Sequence, residues 1–382
     1  MAVRKTSQFK PASKPASKLV SKPAKAQKGI LKTKLPNGLT IILKEMHAAP
    51  VTSFCVWYRV GSRNERLGIT GVSHWLEHMM FKGTPSFGEV EMDRLVSREG
   101  GVRNAFTWID FTAYYETMPS DKIDLAIEME TDRMVNTVFT AKQVESERAV
   151  IINERQGSEN SPLFRLFEDI QAAAFKVHPY GHEVIGHMAD LQRITWDDLV
   201  GHYKQFYAPN STHPDYMPLV ALDSVLCGAS GLSFFGGGTS NRSSQLSKAL
   251  VDTGLFADIG GGVVPSIDPY LYSIAGTVMP GQDIAKCEAA LWRELEKVRQ
   301  TPVSADDLAK AIKQTKAQIA FSTETVTNQA FWLGFSEVVA DYTWFTTYLD
   351  RLSRVTVEDV QRVANTYLTP DNVTVGQYLA QG

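Results

Sequence analysis

The chain has 382 residues, of which 43% are hydrophobic and 21% charged, so there is room for about two or three domains and wholesale disorder is excluded. The formal charge is −3, but residues 1–28 hold eight Lys or Arg and no acid, which leaves −11 for the remainder and argues against nucleic-acid binding. No apolar run approaches the roughly 18 residues of a membrane-spanning helix, so none is expected.

The N-terminal segment, residues 1–29, is built mostly from Lys, Ala, Pro and Ser, a composition that predicts a disordered basic tail. It lacks the apolar stretch of a secretory signal, whereas its lack of acids leaves an organelle transit peptide open. The three cysteines, Cys55, Cys227 and Cys287, are odd in number and far apart. They predict no disulfide framework and favour a reducing compartment.

Hydrophobic periodicity and turn residues predict the ordered elements. Asn37 and Gly38 favour a tight turn between strands at 29–34 and 39–44. The other predicted elements are a strand at 51–60, helices at 71–82 and 89–99, a strand pair at 102–117, and helices at 121–137, 140–157, 163–175 and 195–207. Strands followed by helices, with strands returning later, predict an α+β fold rather than a doubly wound parallel sheet.

A weak internal repeat links the two halves of the chain. Residues 194–210 resemble residues 355–371 at a constant offset of 161, and each copy reads as an N-capped helix that stops at a proline. The second copy runs on into a strand-like segment at 372–378, whereas the first does not. The repeat indicates a duplicated domain.

Three polar side chains share one face of the helix predicted at 71–82. In His74-Trp-Leu-Glu77-His78 the histidines lie about 40° apart around the helix, and Glu77 lies about 60° from His74. Two imidazoles at this spacing can bind one Zn²⁺ ion, and Glu77 beside them can act on a water molecule at the metal. Since unrelated polar residues would give this pattern in roughly one of a hundred such sequences, metal binding is the favoured interpretation.

A catalytic zinc ion usually takes three protein ligands, so another element must supply the third. The helix at 140–157 offers Glu147 and Glu154, which lie within about 20° of each other and are both expected on its apolar side. The alternative for an acid on this helix, a solvated pair with a neighbouring arginine, better suits Glu145 and Glu159. Spacing alone does not choose between Glu147 and Glu154.

Five segments carry a resemblance to a known family. They are His74-Trp-Leu-Glu-His-Met-Met-Phe-Lys-Gly-Thr84, Gly100-Gly-Val-Arg-Asn-Ala-Phe-Thr107, Glu147-Arg-x-Val-Ile-x-x-Glu154, His178-Pro-Tyr-Gly-His182 and Tyr207-Ala-Pro-Asn210. With its His-x-x-Glu-His motif, the chain resembles the pitrilysin/insulinase family of inverted-zincin zinc peptidases. The likeness spans about residues 30–382 and is strongest to mitochondrial processing peptidase and its bacterial relatives.

The resemblance implies a role for each residue of the site. Glu154 maps onto the third zinc ligand beside His74 and His78, with one Zn²⁺ per chain. Glu147 maps onto the position that supports a ligand histidine. Glu77 maps onto the general base of a zinc endopeptidase, in which zinc-activated water hydrolyses the peptide bond. The family gives no metal role to the histidines of the segment at 178–182, for which a structural role is expected.

The resemblance also implies how substrates and partners bind. Asn104, Ala105, Phe106 and Thr107 map onto an edge strand that pairs with an extended peptide, so unfolded peptides or flexible segments are the expected substrates, and the acidic body favours basic ones. The other half-shell of the family's chamber is expected from a second chain, either identical or a zinc-less homologue. The expected compartment is the bacterial cytoplasm, with the mitochondrial matrix as the alternative.

The resemblance implies an α+β half-shell of two related domains, each a mainly antiparallel sheet packed by helices. The predicted domains are a zinc-binding domain at 30–211 and a non-catalytic domain at 212–382. Compared with the family, about 70 residues are expected to be missing around Ser211 and Thr212, together with strands of both domains. The alternatives to a peptidase are therefore a non-catalytic subunit of the same family and an inactive truncated form.

Overall fold

The computed structural model describes residues 29–205, 214–230, 242–268 and 270–379, with only the backbone at 203–205. The predicted tail, apart from Gly29, and the predicted deletion near residue 211 lie outside these ranges. The described residues fall into two units, one within Met1–Ala49 and the other within Pro50–Gly382. Within the described ranges no helix is long and apolar enough to cross a bilayer. The predicted domain boundary at 211/212 stays a prediction.

Groups of short antiparallel strands are followed by groups of helices along the chain. The strands are β1 (Ile30–Lys34), β2 (Thr40–Lys44), β3 (Val51–Tyr58), β4 (Val102–Thr107), β5 (Thr112–Pro119), β6 (Phe256–Val263) and β7 (Tyr272–Val278). The helices are α1 (Val72–Met79), α2 (Glu91–Arg98), α3 (Ile123–Asn136), α4 (Ala141–Glu159), α5 (Pro162–Ala174), α6 (Met188–Leu191), α7 (Trp196–Gln205), α8 (Tyr216–Leu226), α9 (Ile284–Gln300), α10 (Ala305–Ser322), α11 (Val326–Val339), α12 (Thr343–Thr346), α13 (Tyr348–Leu352) and α14 (Val357–Tyr367).

The first unit contains the predicted hairpin. Strands β1 and β2 pair antiparallel from Ile30 opposite Lys44 to Lys34 opposite Thr40. Gly38 takes a φ of 93°, a value that favours glycine, and the Asn37 side chain accepts a hydrogen bond from the backbone N–H of Leu39 at 3.1 Å. The turn residues therefore close the hairpin as the sequence predicts.

In the second unit, a three-stranded sheet has the order β3-β5-β4, so β4 lies at an edge. Beyond β4 the chain turns at Trp108, whose N–H donates to the carbonyl of Phe111 at 2.7 Å. Because hydrogen-bonded and non-hydrogen-bonded pairs alternate along an antiparallel ladder, the backbone N–H and C=O of Ala105 point away from β5. Among the described residues no other strand pairs with this edge of β4.

An aromatic cluster joins this sheet to the C-terminal half of the chain. Trp57 of β3 contacts Phe106 of β4 and Phe331 of α11, with ring centroids 6.1 Å and 5.1 Å apart. Gly334 of α11 lets the indole approach so closely that an added Cβ would lie 2.0 Å from its Nε1 atom. The largest hydrophobic cluster continues from these rings into α8–α11 and α14.

The predicted repeat appears as two helices with matching starts. Helix α7 begins after Thr195 and α14 after Thr356, and the Thr356 hydroxyl caps its helix by accepting from the N–H of Asp359 at 3.2 Å. The strand predicted at 372–378 is wrong, since residues 373–379 form none. The segment packs against a helix instead of a sheet: a Cβ added at Gly376 would lie 2.6 Å from side-chain atoms of Leu166 and Ile170 in α5. The other described strands and helices confirm an α+β fold with small antiparallel sheets.

Candidate metal centre

Helix α1 carries the three polar residues that the sequence singles out, and its N-terminus is held by the side chain of Glu65. The two carboxylate oxygens of Glu65 accept the backbone N–H groups of Gly71 at 2.7 Å and Ser73 at 2.8 Å. Gly71 has a φ of 90°, and an added Cβ would lie 2.4 Å from the carbonyl oxygen of Ile185. The start of the helix is therefore fixed by both a cap and a close backbone approach.

The imidazoles of His74 and His78 meet the carboxylate of Glu154. Glu154 Oε2 lies 3.8 Å from His74 Nε2 and 3.7 Å from His78 Nε2. One ligand atom from each of the three residues lies within 4.8 Å of the others, and no other such group of His, Cys, Asp or Glu occurs in the described part of the chain. Ligands about 2.0–2.1 Å from a tetrahedral zinc ion lie about 3.4 Å apart, so the distances from Glu154 to the two histidines are near the spacing that zinc needs.

Both histidines are partly buried, and His74 is held in the neutral form that a metal ligand needs. Burial, with a smaller contribution from the neighbouring His78, lowers the pKa of His74 to about 3. Its Nδ1 atom is buried and has no hydrogen-bond partner among the described residues. The Nδ1 atom of His78, in contrast, lies 2.9 Å from Glu147 Oε1. Because a carboxylate accepts, the proton of His78 lies on Nδ1 and Nε2 is free for a metal.

The two acids of α4 have different environments, although the sequence could not separate them. The side chain of Glu147 is 10% exposed, whereas that of Glu154 is 48% exposed. The expectation that both point to the apolar side is therefore wrong for Glu154, whose carboxylate faces the two histidines from the solvent side. Burial raises the pKa of Glu147, but hydrogen bonds from Lys82 and His78 outweigh burial and bring it below its usual value.

The other acids of α4 behave as the sequence predicts. Glu145 pairs with Arg148 at 2.7 Å, and Glu159 pairs with Arg155 at 2.8 Å. These two carboxylates therefore form ion pairs with arginines of the same helix. Glu147 and Glu154 are the acids of α4 that contact the histidines.

Glu77 lies beside the histidines and is held by a neighbouring strand. Its carboxylate oxygen Oε2 accepts a hydrogen bond from the hydroxyl of Thr107 at 2.7 Å. Thr112, 3.3 Å from that hydroxyl, donates in turn to the carbonyl of Val60. Burial raises the pKa of Glu77, and the hydrogen bond from Thr107 acts against that rise. The sequence places Thr107 on the strand, but not in contact with Glu77.

The four residues at 104–107 lie on the edge strand β4, as the resemblance implies. The side chain of Asn104 is exposed, and its Oδ1 atom accepts the backbone N–H of Ala105 at 2.9 Å. That N–H is one of the groups that point away from the sheet. The binding of substrate by these four residues stays a prediction.

The segment at 178–182 joins the two halves of the chain. The hydroxyl of Tyr180 donates to Asp110 at 2.8 Å and accepts the backbone N–H of Asp268 at 3.0 Å. Arg63 pairs with Asp268 at 2.6 Å. These contacts fit the structural role expected for this segment.

Two sequence models of one family match the chain. "Insulinase (Peptidase family M16)" matches residues 40–187, which contain every residue of the centre, and "Peptidase M16 inactive domain" matches residues 203–315. The chain belongs to the insulinase family. This finding confirms the resemblance that the motifs indicate, which is to a family of zinc peptidases.

Named relatives agree with this assignment. The chain is 32% identical over 188 residues to an uncharacterized zinc protease of Mycobacterium leprae, a match that covers 49% of this chain and 42% of that protein. It is 30% identical over 193 residues to the mitochondrial-processing peptidase subunit beta of Blastocladiella emersonii, covering 50% and 40% respectively. The chain thus spans less than half the length of these curated relatives.

A solved structure shares the fold. The crystal structure of a protease from Helicobacter pylori superposes with a TM-score of 0.76 at 24% identity, covering 88% of this chain and 96% of that one. The likeness supports the described arrangement of strands and helices across both halves of the insulinase-family chain.

One side chain in contact with the centre has no role in the sequence-based interpretation. Lys82 lies four residues after His78, one helical turn further along the face that carries both histidines. This spacing is the signal that could have found it.

Proposed function

We propose that this chain is a zinc-dependent endopeptidase that hydrolyses peptide bonds in unfolded peptides or flexible segments. The observation that carries the proposal is the convergence of His74, His78 and Glu154, with Glu77 buried beside them. In this proposal these first three residues hold one Zn²⁺ ion. When bound, the ion supplies Lewis-acid chemistry, which polarises a carbonyl group and lowers the pKa of water.

The side chains around the site have distinct tasks in this proposal. Glu77 accepts the proton of the attacking water and delivers it to the leaving amine. Thr107 orients Glu77 through the hydrogen bond from its hydroxyl to Oε2. Glu147 orients His78 through Nδ1. The hydrogen bond from Thr107 to Glu77 and the contact between His78 and Glu147 support these tasks.

The edge strand β4 supports an extended substrate. Asn104, Ala105, Phe106 and Thr107 would pair with a peptide by β-augmentation: the outward C=O of Ala105 would accept a main-chain hydrogen bond, and its N–H would exchange the Asn104 side chain for the peptide. A peptide must be unfolded to pair in this way. The formal charge of −11 outside the N-terminal segment favours basic peptides.

A second chain completes the proposed enzyme. One of the relatives is named as the beta subunit of a mitochondrial-processing peptidase. We therefore propose a homodimer or a heterodimer with a zinc-less homologue. The bacterial cytoplasm stays the expected compartment.

The test measures bound zinc and cleavage of a quenched basic peptide, for the chain alone and with a candidate partner chain. The control is Glu77→Gln, which keeps the shape of the side chain but cannot take the proton. We expect zinc in both proteins and cleavage by the wild type only. Zinc without Glu77-dependent cleavage under every condition would support a non-catalytic subunit, and no zinc binding would support an inactive form.

A further inference from the structure

Lys82 is linked to a metal-site histidine through the carboxylate of Glu147. Its Nζ atom lies 2.6 Å from Glu147 Oε2, while Glu147 Oε1 lies 2.9 Å from His78 Nδ1. The two oxygens of one carboxylate are thus divided between Lys82 and His78. A carboxylate held at both oxygens cannot rotate away from the imidazole.

The backbone after α1 places Lys82 for this contact. The N–H of Phe81 donates to the carbonyl of His78 at 3.1 Å, and that of Lys82 donates to the carbonyl of Met79 at 3.0 Å, so helix-like turns continue to Lys82. Gly83 then takes a φ of 100°, and a Cβ there would lie 2.7 Å from the carbonyl oxygen of Phe87. The glycine therefore fixes where the lysine side chain starts.

Burial makes the contact with Glu147 the important one. The side chains of Lys82 and Glu147 are 15% and 10% exposed, whereas Glu89, which also contacts Lys82, is 47% exposed. Exposed ion pairs contribute little, but a buried carboxylate that loses its cation keeps an uncompensated charge. Since Nδ1 of His74 has no hydrogen-bond partner in the described ranges, this support reaches only one of the two histidines.

We propose that Lys82 is a positioning residue for the metal centre: it fixes Glu147 so that His78 presents Nε2, and so raises the affinity for zinc. The inference rests on the proposed zinc site. It does not depend on which peptide is cleaved. Groups that orient a metal-binding histidine typically change metal affinity about 10–100-fold.

The experiment is a double-mutant cycle on zinc affinity, measured by competition with a chelator. The proteins are the wild type, Lys82→Met, Glu147→Gln and the double variant, with Lys82→Arg as the charge-preserving variant. Lys122→Met is the matched control, since Lys122 pairs with Glu99 at 3.2 Å and is 44% exposed. We expect about tenfold weaker binding for Lys82→Met, partial recovery for Lys82→Arg and no change for Lys122→Met.

The cycle gives a clear decision. If Lys82 acts through Glu147, Lys82→Met has no further effect in the Glu147→Gln background. Wild-type affinity in Lys82→Met, or an equal loss in both backgrounds, would overturn the inference. If Lys82→Met does not fold, Lys82→Gln completes the same cycle with a polar side chain. Failure of the wild type to bind zinc would instead refute the proposed function.

Discussion

Replacing Thr107 by valine tests how Glu77 is held. Valine keeps the shape of the side chain in a position that is 8% exposed, but it removes the hydroxyl that donates to Glu77 Oε2 at 2.7 Å. A hydrogen bond to a charged group contributes about 1.5–3 kcal/mol, and about 1.4 kcal/mol is a factor of ten in rate. We therefore expect kcat to fall about 10–100-fold.

The assay is steady-state cleavage of a quenched peptide, with kcat and KM determined separately and bound zinc measured in each protein. The hydroxyl of Thr107 contacts Glu77 and Thr112, neither of which is a proposed zinc ligand, so zinc content is expected to stay the same. Thr107→Ser keeps the hydroxyl and is expected to retain most of the activity. This control separates the hydrogen bond from the packing of the side chain.

The result also decides between two roles for Thr107. If Thr107 only binds substrate, loss of its hydroxyl would raise KM and leave kcat near the wild-type value. If Thr107 positions Glu77, the same loss would lower kcat. Wild-type kcat in Thr107→Val, with full zinc, would refute the reasoning from the structure. An equal loss in Thr107→Ser would show that the hydroxyl is not the cause.

Three further predictions concern stability. Arg133 is 1% exposed and pairs with buried Glu130, so Arg133→Met is expected to lower the free energy of unfolding in urea by about 3–5 kcal/mol, and a loss below about 1 kcal/mol would contradict this. Burial lowers the pKa of His202 from 6.5 to about 4, so below pH 6.5 the unfolded state binds more protons and stability falls as pH falls. Between about pH 7 and about pH 5.5 this loss is about 1 kcal/mol, and urea unfolding of His202→Gln is expected to show a shallower pH dependence; an unchanged slope would count against the assignment. Gly186 has a φ of 82° and an added Cβ would lie 2.2 Å from a backbone oxygen, so Gly186→Ala is expected to lower Tm, whereas Gly157→Ala in an open helix position raises it slightly; equal shifts would contradict the account.

The metal-site helix could be predicted from the sequence because its signal is local. His74, Glu77 and His78 lie within five positions, and helical periodicity alone puts them on one face. The choice between Glu147 and Glu154 could not be made in this way. Those two residues share a face of α4 to within about 20°, and what separates them is tertiary: one is covered and the other reaches the site from solvent.

Contacts between distant elements were the part that the sequence could not supply. The segment predicted as a strand at 372–378 has suitable residues, but the element that a segment packs against is not a local property, and Gly376 lies against helix α5. The contact of Thr107 with Glu77 joins β4 to α1, and strand alternation does not say which side chain of another element it meets. The spacing of Lys82 from His78 predicts that both lie on one helix face. It does not predict the contact of Lys82 with Glu147, which lies 65 positions further along the chain.

The proposed function depends most directly on the ligands of the metal, which X-ray absorption at the zinc edge measures. For the zinc-loaded chain we predict nitrogen and oxygen ligands at about 2.0–2.2 Å, with the outer-shell pattern of two imidazoles and one carboxylate. These ligands would be His74, His78 and Glu154. A sulfur ligand at about 2.3 Å, or fewer than two imidazoles, would contradict the account.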